Sequence, residues 1–328
     1  MFKRCLLILA LAAAHVAVAA PLKAGPRAES DKYAAWCAST AQILVARADA
    51  DSVATAAALL AGRPNLKAEP ARPVQPALDL AARASELAPQ NAPIGWLRLQ
   101  LCAQAHSCDI KDIATVMRWV DPDNAAAWLP TLAAAQRDAD TTEVDRVLAD
   151  MARAGRFDLY PSRIVVLMFD ALDAAGKQLP AGYAASDATR LSLLREVTGG
   201  EVIPPLTPLV DACRESAAFP GRRDLCMKLS KTMQRGDAVM AQLIGFGIEK
   251  HLLAADSKEA RAIAERRHVL EWRVAAAAKF DAPLLPWTRN ARARARLAQM
   301  RATPREEDVC IAILRKQRMA LEPPEVRP

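Results

Sequence analysis

The chain has 328 residues, of which 52% are hydrophobic, 5% are aromatic and only 12 are glycine. This length is enough to bury a sizeable hydrophobic core. Alanine and leucine dominate and β-branched residues rarely cluster, so the composition favours helices over sheets and predicts an all-α fold. The net charge of +7 is too mild to indicate nucleic-acid binding, and we expect no nucleic-acid partner.

The first 19 residues have the three parts of a secretory signal peptide. Lys3 and Arg4 form the positive start, Cys5–Ala14 is the apolar centre, and Ala17-Val18-Ala19 supplies the small residues of a cleavage site. Cleavage after this triplet leaves Pro21 at the second position of the mature chain. Cleavage one residue later would place that proline next to the scissile bond. We therefore predict a signal peptide over residues 1–19.

The length of the leader argues against a membrane anchor. Its apolar run covers about 16 residues, fewer than the roughly 20 that a spanning helix needs, and no later segment is apolar enough to span. Cys5 lies too early to be the lipid-modified cysteine of a lipoprotein. We predict an exported, periplasmic protein without a transmembrane span, with a net charge of +5 once Lys3 and Arg4 are subtracted from +7.

A junction between two helices is compressed into the nine residues that begin at Asp121. Pro122 has no amide hydrogen and disfavours helical geometry in the residue before it, so a helix that reaches Val120 is predicted to end there. Asp123 or Asn124 can then cap the next helix by accepting hydrogen bonds from its free amides.

A less complete version of this junction, Ala88-Pro89-Gln90-Asn91-Ala92, lies 33 positions upstream of it. Trp96 follows the copy as Trp128 follows the junction, where it is placed to lie back over the preceding helix. A Pro-x-Asn-Ala pattern followed by Trp resembles the junction between tetratricopeptide repeats, whose period is about 34 residues. The resemblance covers about residues 78–155. It implies a TPR-like α-solenoid of stacked helical hairpins, open or closed on itself, that binds a protein or peptide.

The sequence also departs from that family. After Trp128 the family has a Leu-Gly pair and a large aromatic residue, where this chain has Thr131, Leu132 and Ala135. Proline and asparagine also form the corner of helix pairs in unrelated all-α proteins, and this alternative stays open.

The predicted organisation follows from the proline content and from the helical periodicity. The segments are a mobile mature N-terminus (20–32), an N-terminal helical hairpin (33–62), a Pro-rich linker (63–76), TPR-like helical repeats (77–176), a C-terminal helical half (187–321) and a frayed tail (322–328).

Two local signals in these segments are informative. The apolar run Ile164–Phe169 has strand character, but the helical pattern that continues to Ala175 and the lack of a partner strand favour a buried helix. Thr303, Pro304 and Glu306 give the clearest helix start, with threonine as the cap and proline at the first helical position.

Six of the seven cysteines follow the leader, and an even number in an exported protein predicts disulfides. Cys213 and Cys226 flank a turn almost symmetrically, so a helical hairpin places them opposite each other. Cys102 and Cys108 lie at the end of one helix and the start of the next. Each pair is expected to contribute about 2–3 kcal/mol.

Cys37 and Cys310 remain as a third candidate pair. A disulfide between them would require the two ends of the chain to meet, which an open solenoid forbids and a closed ring permits. Both cysteines also share helical faces with apolar residues and fit ordinary core positions. The sequence leaves both alternatives open.

The residues that catalysis or metal binding needs do not cluster along the chain. Only His106, His251 and His268 follow the leader, and none belongs to a His-Glu-x-x-His motif. Glu265 and His268 share a helix face, but a di-iron bundle needs two such motifs, so an ion-pair cluster is the favoured interpretation. We predict no catalytic residue, no metal ligand and no cofactor.

Two sets of residues are candidate binding elements. The tryptophans are spread over positions that we interpret as core: Trp36, Trp96, Trp119, Trp128, Trp272 and Trp287. We nevertheless predict a binding groove on the concave side of the helices near Trp96 and Trp128.

The second set is a run of arginines between residues 287 and 305, where the chain has six arginines and no acidic residue. The candidate binding residues in this run are Arg289, Arg292, Arg294 and Arg296. On a helix they form a cationic flank suited to anionic lipid head groups, cell-wall carboxylates or an acidic partner. A solvated basic face is the alternative.

These observations favour a non-catalytic, exported helical-repeat protein that binds a protein or peptide in the cell envelope. One alternative is a cell-wall hydrolase, which would need a close pair of carboxylates in a cleft, one with its pKa raised by burial. A purely structural envelope component is the other alternative.

Overall fold

The computed structural model describes residues 27–61, 75–105, 108–201, 206–219, 221–281 and 286–324. These residues form 15 α-helices and three short 3-10 helices, with no β-strand among them, and the predicted all-α class is confirmed. Within the same ranges, no helix combines the length and the hydrophobicity needed to cross a bilayer.

The α-helices are α1 (Arg27–Ala46), α2 (Ala50–Ala61), α3 (Gln75–Leu87), α4 (Ala92–Ala105), α5 (Ile110–Val120), α6 (Leu129–Arg137), α7 (Thr141–Arg153), α8 (Pro161–Ala175), α9 (Asp187–Glu201), α10 (Thr207–Arg214), α11 (Arg222–Met233), α12 (Val239–Leu252), α13 (Lys258–Asp281), α14 (Pro286–Ala302) and α15 (Glu306–Lys316). The 3-10 helices are Ala125–Trp128, Gly176–Gln178 and Glu215–Ala218.

The N-terminal hairpin consists of α1 and α2, as the sequence predicts, but α1 already begins at Arg27, inside the segment predicted to be a mobile N-terminus. Asp49 begins α2, because its carboxylate accepts hydrogen bonds from the amide (2.8 Å) and the hydroxyl (2.8 Å) of Ser52. The predicted signal peptide and most of the predicted linker lie outside the described residues, and the last two linker residues begin α3.

The centre of the fold is α8, and its composition explains why. It is apolar around most of its circumference, including the run Ile164–Phe169, and a helix of this kind needs neighbours on several sides. It contacts α1, α2, α4, α9 and α14. The helical interpretation of this run is therefore confirmed. Because five helices separate α2 from α8 along the chain, the helices fold back instead of contacting only their sequence neighbours.

The junction between α5 and α6 follows its local signals. Helix α5 ends at Val120, and Asn124 caps the following 3-10 helix because its Oδ1 accepts a hydrogen bond from the amide of Ala126 (3.1 Å). Trp128 lies against α5 as predicted, with the Arg118 guanidinium 4.5 Å from the centre of its ring. At the upstream copy, Asn91 caps α4 in the same way, through the amide of Ile94 at 3.3 Å.

The predicted start of α15 is wrong by two residues. The Thr303 amide still donates to the carbonyl of Gln299 in α14 (2.9 Å), and α15 begins only at Glu306. The Glu306 amide donates to the backbone carbonyl of Asp237 (2.8 Å), so a contact with a distant loop, rather than the Thr-Pro signal, sets where this helix starts.

Both locally favoured disulfides are present. Cys102 is bonded to Cys108 and Cys213 to Cys226, with Cα atoms 5.7 and 5.6 Å apart. Cys37 and Cys310 are buried in the core and are not disulfide-bonded. No disulfide therefore joins the first and last helices of the described chain.

Candidate functional site

Four loops lie side by side along one edge of the molecule, which we call the loop edge. They connect α5 to α6 (residues 121–124), α7 to α8 (154–160), α11 to α12 (236–238) and α14 to α15 (303–306). Each neighbouring pair is joined by hydrogen bonds that involve a buried side chain or a loop backbone. This edge therefore positions the start of three helices, α8, α12 and α15.

Asn124 joins the first two loops. Its side chain is fully buried, and its Oδ1 accepts from the amide of Asp158 (2.9 Å) as well as from its own helix start. Its Nδ2 donates to the Asp158 carbonyl (3.0 Å) and to the hydroxyl of Tyr160 (3.0 Å). The side chain thus uses its full hydrogen-bonding capacity, which a buried amide requires.

Tyr160 completes this part of the edge in an unusual backbone conformation. Its φ of +58° places a fully buried tyrosine in the left-handed region, immediately before α8. Its hydroxyl donates to Asp121, which also accepts from Arg156. Burial and the contact with Asp121 raise the pKa of Tyr160. The phenol therefore stays protonated and serves as a hydrogen-bond donor.

Asp237 joins the second loop to the third. One carboxylate oxygen accepts from the amide of Leu159 (2.7 Å) and the other from the amide of Tyr160 (2.8 Å), next to the start of α8. Burial raises the pKa of Asp237 to about 8, with a further upward contribution from Asp158, although the two amide hydrogen bonds act to lower it.

Glu306 joins the third loop to the fourth. Its Oε2 accepts from the amide of Val239, the first residue of α12, at 2.8 Å. Burial raises the pKa of Glu306, while this hydrogen bond and the charges of Arg195 and Arg296 act to lower it. Asp237 and Glu306 thus accept hydrogen bonds from backbone amides at the starts of α8 and α12.

A cavity of about 200 Å3 lies at the end of the loop edge, and we call it the arginine cavity. It is formed by the N-terminal ends of α8, α12 and α15 and by one side each of α9 and α14. Among the described residues, its charged side chains are Arg195, Arg296 and Glu306, and its other polar side chains are Ser162 and Thr198. A smaller cavity of about 140 Å3 lies beside the Cys102–Cys108 disulfide.

The arginine cavity is open to solvent at its cationic end. Arg195 is exposed and Arg296 is half-buried, whereas Ser162 is only 1% exposed. The Thr198 hydroxyl donates to the Leu194 carbonyl of its own helix (2.8 Å). The cavity thus combines solvent-accessible arginines with a buried serine side chain.

Of the four predicted binding arginines, Arg296 reaches this cavity, and two others are held by intramolecular partners. Arg292 donates to the carbonyl of Phe280 (2.6 Å) and stacks on its ring, and Arg294 forms an ion pair with Asp187. Arg289 is exposed at the start of α14. Arg292 and Arg294 are therefore engaged by other parts of the molecule.

The two tryptophans of the predicted groove differ in their burial. Trp96 is fully buried and packs against Tyr160, so it is a core residue that no ligand reaches without rearrangement. Trp128 is partly buried beneath Arg118 and Arg146. The interpretation of every tryptophan as core is wrong for Trp119, which is 81% exposed on α5.

The sequence did not identify Arg195 or Glu306 as residues of a site. Arg195 and Glu306 lie more than a hundred residues apart, and no spacing rule connects them. The pair Gly236-Asp237 is the local signal that indicates a helix start in this region, because a glycine next to an acid is typical of such starts. A Cβ at Gly236 would overlap with the carbonyl oxygen of Phe157, so only glycine allows the two loops to approach this closely.

The site and the fold define an all-α protein with an arginine-lined cavity at the meeting point of several helix ends. Among the described residues, no group of three or more His, Cys, Asp or Glu side chains could hold a metal ion. Comparisons with protein-family models, with curated proteins and with solved structures find no match to this chain.

Proposed function

We propose that this chain is a non-catalytic, exported binding protein of the cell envelope, built in part from TPR-like helical hairpins, which holds an anionic group of a protein or peptide partner in the arginine cavity. The observation that carries the proposal is the cavity itself, in which two guanidinium groups and one carboxylate surround a space that is open to solvent.

The spacing of the loops supports the repeat part of this proposal. The junctions at Asn91 and Asn124 lie 33 residues apart, and Asn124 bonds to Asp158, which lies another 34 residues along the chain. Three successive junctions thus recur at the period of tetratricopeptide repeats. The packing of α8 against α2 and α14 adds long-range contacts that an open solenoid lacks, and it favours a closed arrangement.

The two disulfides support export. Disulfides persist in oxidising compartments, and two of them in a chain that begins with a signal-like leader fit an envelope location. The bonding of the acids supports a binding role over catalysis. Both oxygens of Asp237 and one oxygen of Glu306 are occupied by backbone amides, so these carboxylates already have a structural role.

The test is co-purification from a native envelope extract, with wild type compared to a variant that reverses the charge at the mouth of the cavity. Arg195→Glu is suitable because Arg195 is exposed, and Arg261→Glu, on the exposed face of α13, is the matched control. We expect a partner that wild type and the control retain and that Arg195→Glu loses. A partner retained equally by all three would show that the arginine cavity is not the binding site.

An envelope hydrolase is the second candidate, because Asp237 and Glu306 are neighbouring acids and burial raises the pKa of both. This alternative predicts that purified protein releases soluble fragments from cell-wall material and that Glu306→Gln abolishes the release. Equal release by wild type and by the variant, or none from either, removes it.

A further inference from the structure

The two disulfides differ in how exposed their cysteines are. Cys213 and Cys226 both lie in the core, at 1% and 0% exposure. In the other disulfide Cys102 is 1% exposed, but Cys108 is only half-buried, two residues before the start of α5. Thiol–disulfide exchange begins when a thiolate reaches one of the two sulfur atoms, so its rate depends on access. Of these four cysteines, Cys108 is therefore the one that an external thiol reaches most easily.

A cavity lies against the same disulfide. It has a volume of about 140 Å3 and is formed by α3, α4, α5 and the loop before α5, and we call it the disulfide cavity. Cys102 and Cys108 both border it, together with the apolar side chains of Leu78 and Ile113. A cavity of about 150 Å3 holds a benzene molecule, so the disulfide cavity has room for a small thiol and none for a folded protein.

The disulfide cavity also contains a cation. Arg98 borders it and lies four residues before Cys102 on α4, so the two side chains share one face of that helix. A nearby guanidinium favours a thiolate over a thiol, whereas the burial of Cys102 has the opposite effect. Asp79 borders the cavity too, but it is exposed, and solvent screens its charge. Arg98 is thus placed to stabilise Cys102 as a leaving thiolate.

The two cysteines outside the disulfides do not compete for this chemistry. Cys37 and Cys310 are 3% and 4% exposed, so neither is accessible to a thiol or a disulfide in solution. Burial also raises the pKa of Cys37 to about 11, although a hydrogen bond with Tyr33 acts to lower it. This cysteine therefore stays a protonated thiol at neutral pH, and a thiol is a poor nucleophile.

We infer that the Cys102–Cys108 disulfide is a site of reversible modification by a small thiol, which enters the disulfide cavity and becomes bonded to Cys108. The incoming thiolate attacks Sγ of Cys108, the bond to Cys102 breaks, and Cys102 leaves as a thiolate that takes a proton from water. One S–S bond forms as another breaks, so no external oxidant or reductant is needed. Attack of the Cys102 thiolate on the mixed disulfide releases the small thiol again.

This inference goes beyond the proposed function and does not depend on it. The disulfide cavity and the arginine cavity have no bordering residue in common. A binding partner that requires Arg195 and a thiol that modifies Cys108 are therefore tested by separate experiments, and either can fail alone.

The experiment treats the full mature chain with mercaptoethanol at neutral pH. Free thiols are then alkylated rapidly with N-ethylmaleimide, and mass spectrometry identifies each product. We expect a mixed disulfide on Cys108 and an alkylated Cys102, formed at least about tenfold faster than any product at Cys213 or Cys226, because access limits the reaction. In urea this difference is expected to disappear, because the unfolded chain exposes both disulfides.

Arginine variants test the role of the cation. Arg98→Gln is expected to slow the formation of the mixed disulfide about threefold or more, because the leaving thiolate loses its countercharge. Arg98→Lys keeps the charge and is expected to retain most of the rate. Arg83→Gln, at an exposed position of α3 outside the lining of the cavity, is the matched control and is expected to react as wild type does. Unfolding midpoints establish that each variant is folded.

A pair of cysteine variants identifies the reactive sulfur independently of Arg98. Cys102→Ser leaves Cys108 as a free thiol, and Cys108→Ser leaves Cys102. With hydroxyethyl disulfide as the probe, we expect Cys108 to form the mixed disulfide at least about tenfold faster than Cys102 does. If either variant does not fold, the arginine variants and the mapping of wild type still test the inference.

The inference is overturned if no mixed disulfide forms on Cys108, if the thiol is found on Cys102 instead, or if Cys213–Cys226 exchanges equally fast in the folded protein. Equal rates for Arg98→Gln and Arg83→Gln would overturn the role of Arg98 in the exchange.

Discussion

At both ends of the loop edge, side chains join neighbouring loops by hydrogen bonds, but the surroundings of the two ends differ. At the Asn124 end, a buried amide makes three hydrogen bonds to the neighbouring loop and one to its own helix start. At the Asp237–Glu306 end, carboxylates bond to backbone amides in the same way, but two arginines and a cavity lie beside them. At the Asn124 end the charged residues Arg156, Asp121 and Asp158 pair with one another within the loops, whereas at the other end charged residues border a cavity.

The largest expected effect is at the Asn124 end. Asn124→Ala removes the four hydrogen bonds of a fully buried side chain and leaves several polar groups unpaired, so we expect the free energy of unfolding to fall by about 4 kcal/mol. The measurement is urea unfolding followed by circular dichroism. Asn91→Ala is the matched control, because Asn91 makes a single cap bond and its loss is expected to cost about 1 kcal/mol. Equal losses in the two variants would contradict the importance of the Asn124 network.

The second prediction concerns the close approach of two loops at the Asp237–Glu306 end. Gly236→Ala forces a Cβ into the carbonyl of Phe157, and we expect a loss of about 2–3 kcal/mol in the same unfolding experiment. Gly247→Ala is the control, because its nearest neighbour would be the far end of Arg267 at 3.7 Å. In the middle of α12 this substitution is expected to stabilise the protein by up to about 1 kcal/mol. A tolerated Gly236→Ala would mean that the two loops can separate at little cost.

The third prediction concerns how stability depends on pH through Asp237. The folded state holds the proton of Asp237 up to a pKa of about 8, and the unfolded chain releases it near 3.8. The folded state therefore binds more protons between these values, and this group's contribution to stability is present below pH 3.8 and is lost as pH rises through 8. Asp158, Glu306 and the amides of Leu159 and Tyr160 are the groups that face it.

Asp237→Asn removes this titration. We expect the variant to be less stable than wild type in acid, because its amide nitrogen cannot accept a backbone hydrogen bond, and we expect the difference between the two proteins to shrink from pH 5 to pH 8. Unfolding by urea across this range measures the difference. A constant difference at all pH values would show that Asp237 is ionised throughout.

The smallest effect is expected on the helix that carries the run of arginines. Arg301 forms an ion pair with Asp170, but both side chains are 48% exposed, and exposed pairs contribute little. Arg301→Ala is therefore expected to change the free energy of unfolding by about 0.5 kcal/mol or less. A large loss would mean that α14 depends on its charges rather than on its buried residues Leu297 and Met300.

Features set by neighbouring residues could be read from the sequence. The end of α5 at Val120 and the cap at Asn124 depend on Pro122 and on a side chain two residues away from its target, so local chemistry is sufficient. The symmetric position of Cys213 and Cys226 around one turn also predicted their bond. Periodicity would have placed Trp119 correctly, because it lies about 200° around the helix from the buried Met117.

The candidate site could not be obtained in this way. Arg195, Arg296 and Glu306 belong to three different helices, and nothing in their local sequence indicates that they face one space. The start of α15 shows the same limit, because the contact between Glu306 and Asp237 overrides a strong local start signal.

The sequence by itself determined that the chain is helical, where most helices turn, and that Cys102 pairs with Cys108 and Cys213 with Cys226, because these properties depend on interactions between residues close along the chain. Only the tertiary structure decided that α8 lies at the centre, that four loops align at one edge, and that arginines and an acid meet in a cavity. Those outcomes depend on which apolar faces pack together, and the backbone amides at the buried helix ends then require acceptors from distant loops.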